Sequence, residues 1–316
     1  MPRLSRAIAV LLSAAVFFVS CAGEPSDDQV DSAATPQQPQ EPSPEPTPSE
    51  EPPELIGGGM ELFPDKRFIA LYGHPTYPEL GALGEQGPEE SVERVKDLAE
   101  YYEAHTGAEI IPTFEIIVTM ASAAPGADGM YSAVVDFDDL APYIEAAEEH
   151  DVYVVLDLQP GHNDFLTQAK LFEDYLVEPN IGLALDPEWR LAPGQVHMQQ
   201  IGSVDAAEIN ETTDWLADLT AEHELPQKMV VLHQFQLSMI QNRQDVKTDH
   251  PELAMVLHAD GHGTAEQKLD TWNALQQDLP ADMYMAWKNF YRQDAPMFAP
   301  KETFEVEPKP WFVSYQ

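Results

Sequence analysis

Two short runs carry the residue types that acid–base chemistry requires. The first is Asp186-Pro187-Glu188-Trp189. On a pleated strand, residues two apart face the same way, so this spacing directs both carboxylates to one side. Crowded carboxylates push one another's pKa values apart, which leaves one a proton donor and one an ionised base. The second run is His258-Ala259-Asp260-Gly261-His262, which alternates three metal-ligand types along one face. With Asp157, Asp186 or His233 it offers a site for zinc or another divalent ion. The preferred reading is metal-free, with no cofactor and the histidines acting by hydrogen bonding or proton transfer. Gly261 and Gly263 fit a tight loop equally well. Lys288 follows Trp287 in an apolar stretch. A desolvated lysine there forms a Schiff base in some enzymes, but an ion pair with Asp260 or Asp186 is the preferred expectation.

Eight β-rich runs must position these residues: Phe68–Tyr72, Ile110–Thr119, Val152–Leu158, Ile181–Asp186, Met229–Phe235, Leu253–His258, Met283–Lys288 and Trp311–Tyr315. Helical patterns lie between them at Ser91–Ala104, Leu140–His150, Asp164–Leu176, Ala206–His223 and Ala265–Leu279. The segments after the fifth and seventh strands are shorter. Eight strands, most followed by a helix over about 250 residues, predict an α/β fold, a single (β/α)8 TIM barrel. A doubly wound open sheet is the alternative, and it calls for a glycine-rich phosphate turn after the first strand. Tyr72-Gly73-His74-Pro75 is not one.

Alternation within the strands supports the barrel. Gly182, Ala184 and Asp186 share the face that suits a crowded interior, and Ile181, Leu183 and Leu185 the face that suits a helix layer. Tyr153, Val155, Asp157 and Gln159 alternate in the same way with Val152, Val154, Leu156 and Leu158. Polar groups gather at the carboxyl ends of the strands, where barrel enzymes build their sites. That ring comprises Tyr72, His74, Glu115, Asp157, Gln159, Asp186, Glu188, His233, Gln234, Gln236, His258, Asp260, His262, Lys288, Asn289, Ser314 and Gln316. Asp157 is expected roughly one strand spacing, about 4.8 Å, from the fourth-strand carboxylates.

The Asp186–Trp189 segment resembles the fourth-strand motif of family 18 glycoside hydrolases, which ends in Asp-x-Glu. Gly182, Asp186 and Glu188 match it, whereas Ile181 and Ala184 stand where that family has aspartates. The resemblance implies a helper role for Asp186 and an acid role for Glu188. The expected function is glycoside hydrolysis of a cell-wall or environmental glycan. Glu188 would act as acid, with Asp186, Asp157 and Asp260 as the further catalytic carboxylates. Tyr72, His74, Glu115, Gln159, Trp189, His233, Gln234, His258, His262, Lys288 and Asn289 are the expected substrate-binding groups. Of the aromatics Trp189, Trp272, Trp287, Tyr291 and Trp311, most are expected in the core and Trp189 as a sugar platform. The alternatives are a metal-dependent hydrolase and a non-catalytic glycan-binding protein. No Gly-x-Ser-x-Gly, Walker loop, His-Glu-x-x-His or EF-hand pattern occurs.

Composition narrows the partners. The chain has 316 residues, of which 43 % are hydrophobic, enough for one sizeable core. Its 55 acidic residues against 16 Lys plus Arg give a formal charge of −39, which repels nucleic acid. Such acidity also keeps proteins soluble at high salt. The sole cysteine, Cys21, rules out an internal disulfide or thiolate cluster. It follows Arg3, Arg6 and the apolar run Ala7 to Val19, which is short for a membrane span. The ending Phe18-Val19-Ser20-Cys21 resembles the bacterial lipoprotein lipobox, with Phe18 in the usual leucine position. It implies loss of residues 1–20, lipid on Cys21 and attachment to the extracytoplasmic face of the cell membrane. An uncut transmembrane anchor is the alternative. The Pro-, Glu-, Gln- and Ser-rich stretch through about residue 60 predicts a disordered spacer, with the barrel spanning 65–316.

Overall fold

Strands with two apolar faces need cover on both sides, and here that cover comes from closing the sheet on itself beneath a helical layer. The computed structural model describes residues 52–316. Its barrel strands are β1 (Lys66–Gly73), β2 (Glu109–Ala121), β3 (Tyr153–Leu158), β4 (Ile181–Leu185), β5 (Lys228–Gln234), β6 (Leu253–Ala259), β7 (Tyr284–Asn289) and β8 (Phe312–Tyr315). Each pairs in parallel with its sequence neighbours. β1 also pairs with β8, Phe68 opposite Phe312 and Leu71 opposite Tyr315, so the cylinder has no edge. This is the expected (β/α)8 barrel. Cys21 and the predicted signal peptide lie outside the described residues.

The helices are α1 (Pro88–Glu103), α2 (Phe137–Glu149), α3 (Phe165–Ala169) with a further turn at Glu173–Leu176, α4 (Ala206–Glu222), α5 (Ala265–Leu275) and α6 (Pro300–Thr303). Side-chain caps start several of them: Asp136, Asp164 and Asp205 accept from backbone N–H groups of α2, α3 and α4. Thr264 and Gln267 form a reciprocal capping box on α5. After β5 the connection contains the 3-10 turns Leu237–Met239 and Arg243–Asp245 and a short strand, Ile240–Gln241, paired with Val204–Asp205; after β7 it contains the single turn of α6. Among the described residues, no helix is long and apolar enough to cross a membrane.

The alternation read from the sequence sorts into two cores. Tyr153, Val155, Ala184, Met229, Val231, Val256 and Ala286 fill the cylinder. Val154, Leu156, Leu183, Leu185, Val230 and Leu257 face the helices. The amino-terminal end is closed by a segment that composition assigns to the spacer or its boundary. Leu55, Leu62 and Phe63 are buried against Phe68, Tyr153 and Phe312, and Ile56 N donates to Asn180 Oδ1 at 2.9 Å. The folded body therefore begins near residue 55 rather than 65, because a few apolar side chains in polar surroundings suffice to plug the barrel.

Gly182 shows how tight the cylinder is. A Cβ there would stand 2.5 Å from the Met229 carbonyl oxygen and 3.0 Å from the Tyr153 hydroxyl. Gly182→Ala is expected to lower unfolding free energy by about 1–3 kcal/mol, the usual cost of overpacking. A urea melt of the variant checks this.

Candidate functional site

At the carboxyl end of the cylinder the inward positions turn polar on every strand. Tyr72, Glu115, Asp157, His233, His258, Lys288 and Ser314 come from β1, β2, β3, β5, β6, β7 and β8, and Asp186 stands just past the end of β4. All eight are buried. They form two tiers. The upper tier lines a cavity of about 450 Å³ and comprises Tyr72, Asp186 and Lys288 together with Gln159, Glu188, Trp189, Asp260 and His262. Beneath it lie Glu115, Asp157, His233, His258 and Ser314.

The lower tier is held by short contacts. His233 donates from Nδ1 to Asp260 Oδ2 and from Nε2 to Glu115 Oε1, both at 2.9 Å. Asp157 Oδ1 lies 3.9 Å from the same Nε2. The Tyr72 hydroxyl donates to Asp157 Oδ2 at 2.9 Å, and Ser314 Oγ is 3.1 Å from His258 Nε2. These groups titrate far from their ordinary ranges. Burial alone would lower His233, but Glu115 and Asp260 outweigh it and hold the imidazolium well above the usual histidine range. His258 is pushed well down by burial and by the charges of His233 and Lys288. Burial raises the Asp157 carboxyl to about 6 against the pull of His233.

The upper tier holds the Asp186–Trp189 segment. Asp186 accepts from Glu188 N at 3.1 Å and so caps the 3-10 turn Pro187–Trp189. Asp186, still extended and bonded from its N to Leu158 O, follows the strand alternation into the cavity, whereas Glu188 reaches it through the turn because β4 ends at Leu185. Three anchors fix the loop. Gly202 N donates to Glu188 O at 2.7 Å, Arg190 grips Glu208 through two nitrogens at 2.8 and 3.0 Å, and Leu191 N donates to Gly161 O at 2.7 Å. Burial, reinforced by the charge of Asp260, pushes Glu188 up to about 7. Burial likewise lifts Asp186 well above the carboxylate range, with Asp157 and Glu188 adding to it against His233. Burial also acts to raise Asp260, but the hydrogen bond and charge of His233 win and hold it low. The cavity is thus lined by one carboxyl biased toward its neutral form, Glu188, and one biased toward its ionised form, Asp260.

Several expected contacts resolve differently. Lys288 makes none of the ion pairs found among the described residues; its ammonium sits 3.5 Å from the centre of the Tyr72 ring. Closure of β1 onto β8 brings that aromatic face to β7, which no linear pattern reveals. The His258–His262 run does not act as one ligand set. His258 is buried beside Ser314 and Asp260 binds His233, while His262 is exposed at the rim, edge-on to Phe290 at 5.6 Å. His74, Gln234 and Asn289 do not line the cavity. His74 Nδ1 accepts from Thr76 N at 3.2 Å, Gln234 accepts from Arg243 at 3.0 Å, and Asn289 accepts from Trp287 Nε1 at 2.8 Å. Trp272 and Trp287 pack edge-to-face in the core, and Trp311 lies against Phe63, which plugs the opposite end. Of the five aromatics, Trp189 reaches the cavity. Leu80, Phe290 and Gln293 also line it. Leu80 ends the 3-10 turn Pro78–Leu80, and Phe290 and Gln293 lie in the loop after β7; no sequence signal marks them.

No protein-family model matches this chain, and no curated protein matches it either.

Tyr72 joins the tiers, since its hydroxyl serves Asp157 while its ring carries Lys288. Tyr72→Phe keeps the ring and strands a buried carboxylate oxygen. It is expected to cost about 1–3 kcal/mol of stability, measured by chemical denaturation.

Proposed function

We propose that this chain is an extracytoplasmic glycoside hydrolase acting on a cell-wall or environmental glycan, with Glu188 as the proton donor. The observation that carries this reading is a half-buried glutamate held near pKa 7 in an open cavity at the carboxyl end of a (β/α)8 barrel. Glycosidic bonds leave as poor alkoxides unless the leaving oxygen is protonated, and a carboxyl raised to neutrality does this at working pH. The bond from the leaving oxygen to the sugar carbon breaks as Glu188 delivers its proton to that oxygen and positive charge develops at the carbon; a water oxygen then bonds to the carbon and gives up its proton to a carboxylate, which completes hydrolysis. Asp260, fixed by the hydrogen bond from His233, presents the carboxylate that steadies this charge. Asp186 orients the Glu188 turn through its backbone bond. Trp189 supplies an aromatic face for the sugar ring, and the Lys288 ammonium, which makes no salt bridge among the described residues, binds substrate oxygens.

The cellular address rests on the amino-terminal sequence. A charged start, a short apolar run and the sole cysteine support a lipid anchor at Cys21. Expression of Cys21→Ser in a bacterial host with radiolabelled palmitate is expected to abolish label incorporation and release the protein from membranes; label retained in the variant contradicts the anchor.

Turnover is measured as reducing ends released from purified wall polysaccharides and a panel of aryl glycosides. Glu188→Gln should lower kcat by about 10²–10⁴-fold, the usual contribution of a general acid, with folding intact. Because the protonated form is the active one, wild-type kcat should fall as pH rises through about 7. Full activity in the variant overturns the assignment.

A further inference from the structure

We infer that the tier beneath the cavity is a zinc site, with Glu115, His233 and His258 as its protein ligands and Asp157 beside them. Buried polar atoms in native proteins nearly always have partners, and exceptions point to an ion or water. Four of the fully buried side-chain atoms without a hydrogen-bond partner fall in this one cluster: Glu115 Oε2, Asp157 Oδ1, His258 Nδ1 and Asp260 Oδ1. They sit beside two histidines and two carboxylates, a donor set that suits zinc.

The geometry agrees. Ligand atoms of Glu115, His233 and His258 all lie within 4.8 Å of one another. The measured edges are 2.9 Å from His233 Nε2 to Glu115 Oε1, 3.7 Å from His258 Nδ1 to Glu115 Oε1, and 3.9 Å from His233 Nε2 to Asp157 Oδ1. Ligands around tetrahedral zinc at about 2.0–2.2 Å stand about 3.3–3.6 Å apart, so small adjustments admit the ion. Zinc would take the place of the proton between His233 and Glu115, and two carboxylates balance its charge in a region closed to water.

The outer contacts are those a metal site needs. His233 gives its other nitrogen to Asp260 at 2.9 Å, His258 gives its own to Ser314 at 3.1 Å, and Asp157 Oδ2 accepts from Tyr72 at 2.9 Å. Such partners fix the tautomer and the ring plane of ligating histidines. An ion held by these three side chains would tie β2, β5 and β6 together and rigidify the floor on which Tyr72 and Asp260 stand. The ligand set takes only His258 from the His258–His262 run.

The test uses the full-length protein, stripped with chelator, checked for retained fold by circular dichroism and titrated with Zn²⁺ by calorimetry. One equivalent should bind and raise Tm, and X-ray absorption at the zinc edge should show nitrogen and oxygen neighbours without sulfur. Ser314→Ala should weaken binding about 10–100-fold, as loss of an outer-shell partner does, and Glu115→Gln with His258→Ala should abolish it. Glu188→Gln should bind zinc normally, so failure of the glycosidase reading and failure of the metal site are told apart. A folded, stripped protein that takes up no stoichiometric Zn²⁺ overturns the site. So does undiminished binding in the double variant.

Discussion

A charged imidazole with no exposed surface must be matched by carboxylates, and that requirement organises the mouth of this barrel. His233 has no exposed side-chain surface, and neither does Glu115. An ionised group in such surroundings is tolerated only when paired and hydrogen-bonded. Glu115 and Asp260 meet His233 from opposite sides at 2.9 Å, which draws β2, β5 and the end of β6 to a common centre. Removal of one partner would strand the other charges. The polar tier is therefore a single unit, and its cost is offset by the apolar layer immediately below it in the cylinder.

The same unit sets the electrostatics above it. Asp260 is held ionised by His233 and its charge reaches Glu188, which burial has already biased toward the neutral form. The raised carboxyl of Glu188 and the lowered one of Asp260 thus arise from one chain of contacts that starts in the buried tier. The turn that carries Glu188 adds precision, since Asp186, Gly202 and the Arg190–Glu208 pair restrain its backbone. A donor on an unrestrained loop would lose most of the benefit of its raised pKa, because proton transfer depends on position before acidity.

Much of this was legible in the sequence, up to the point where strands end. Period-two alternation in Tyr153–Gln159 and Ile181–Asp186 separates interior from helix-facing residues, and the structure follows it. The short connections after β5 and β7 were also legible. Past the last strand residue the period gives no direction. Asp186 still follows the alternation, but Glu188 shares its cavity only because a capped turn carries it there. His262 departs from His258 and Asp260 because β6 stops at Ala259 and Gly263 takes a φ of +134°. The partner of Lys288 was not legible at all. Local chemistry favours a carboxylate, but closure of the cylinder brings an aromatic face instead. Leu55 and Phe63 were hidden by the company they keep among polar and proline residues.

The claim on which the account turns is that Glu188 is neutral for much of the time at pH 7. Carbon-13 NMR of the protein labelled at glutamate side-chain carboxyls, assigned by the signal missing in a Glu188 variant, measures this directly. The account predicts a titration midpoint at about 7. A midpoint near the ordinary glutamate value of about 4.3 would contradict it.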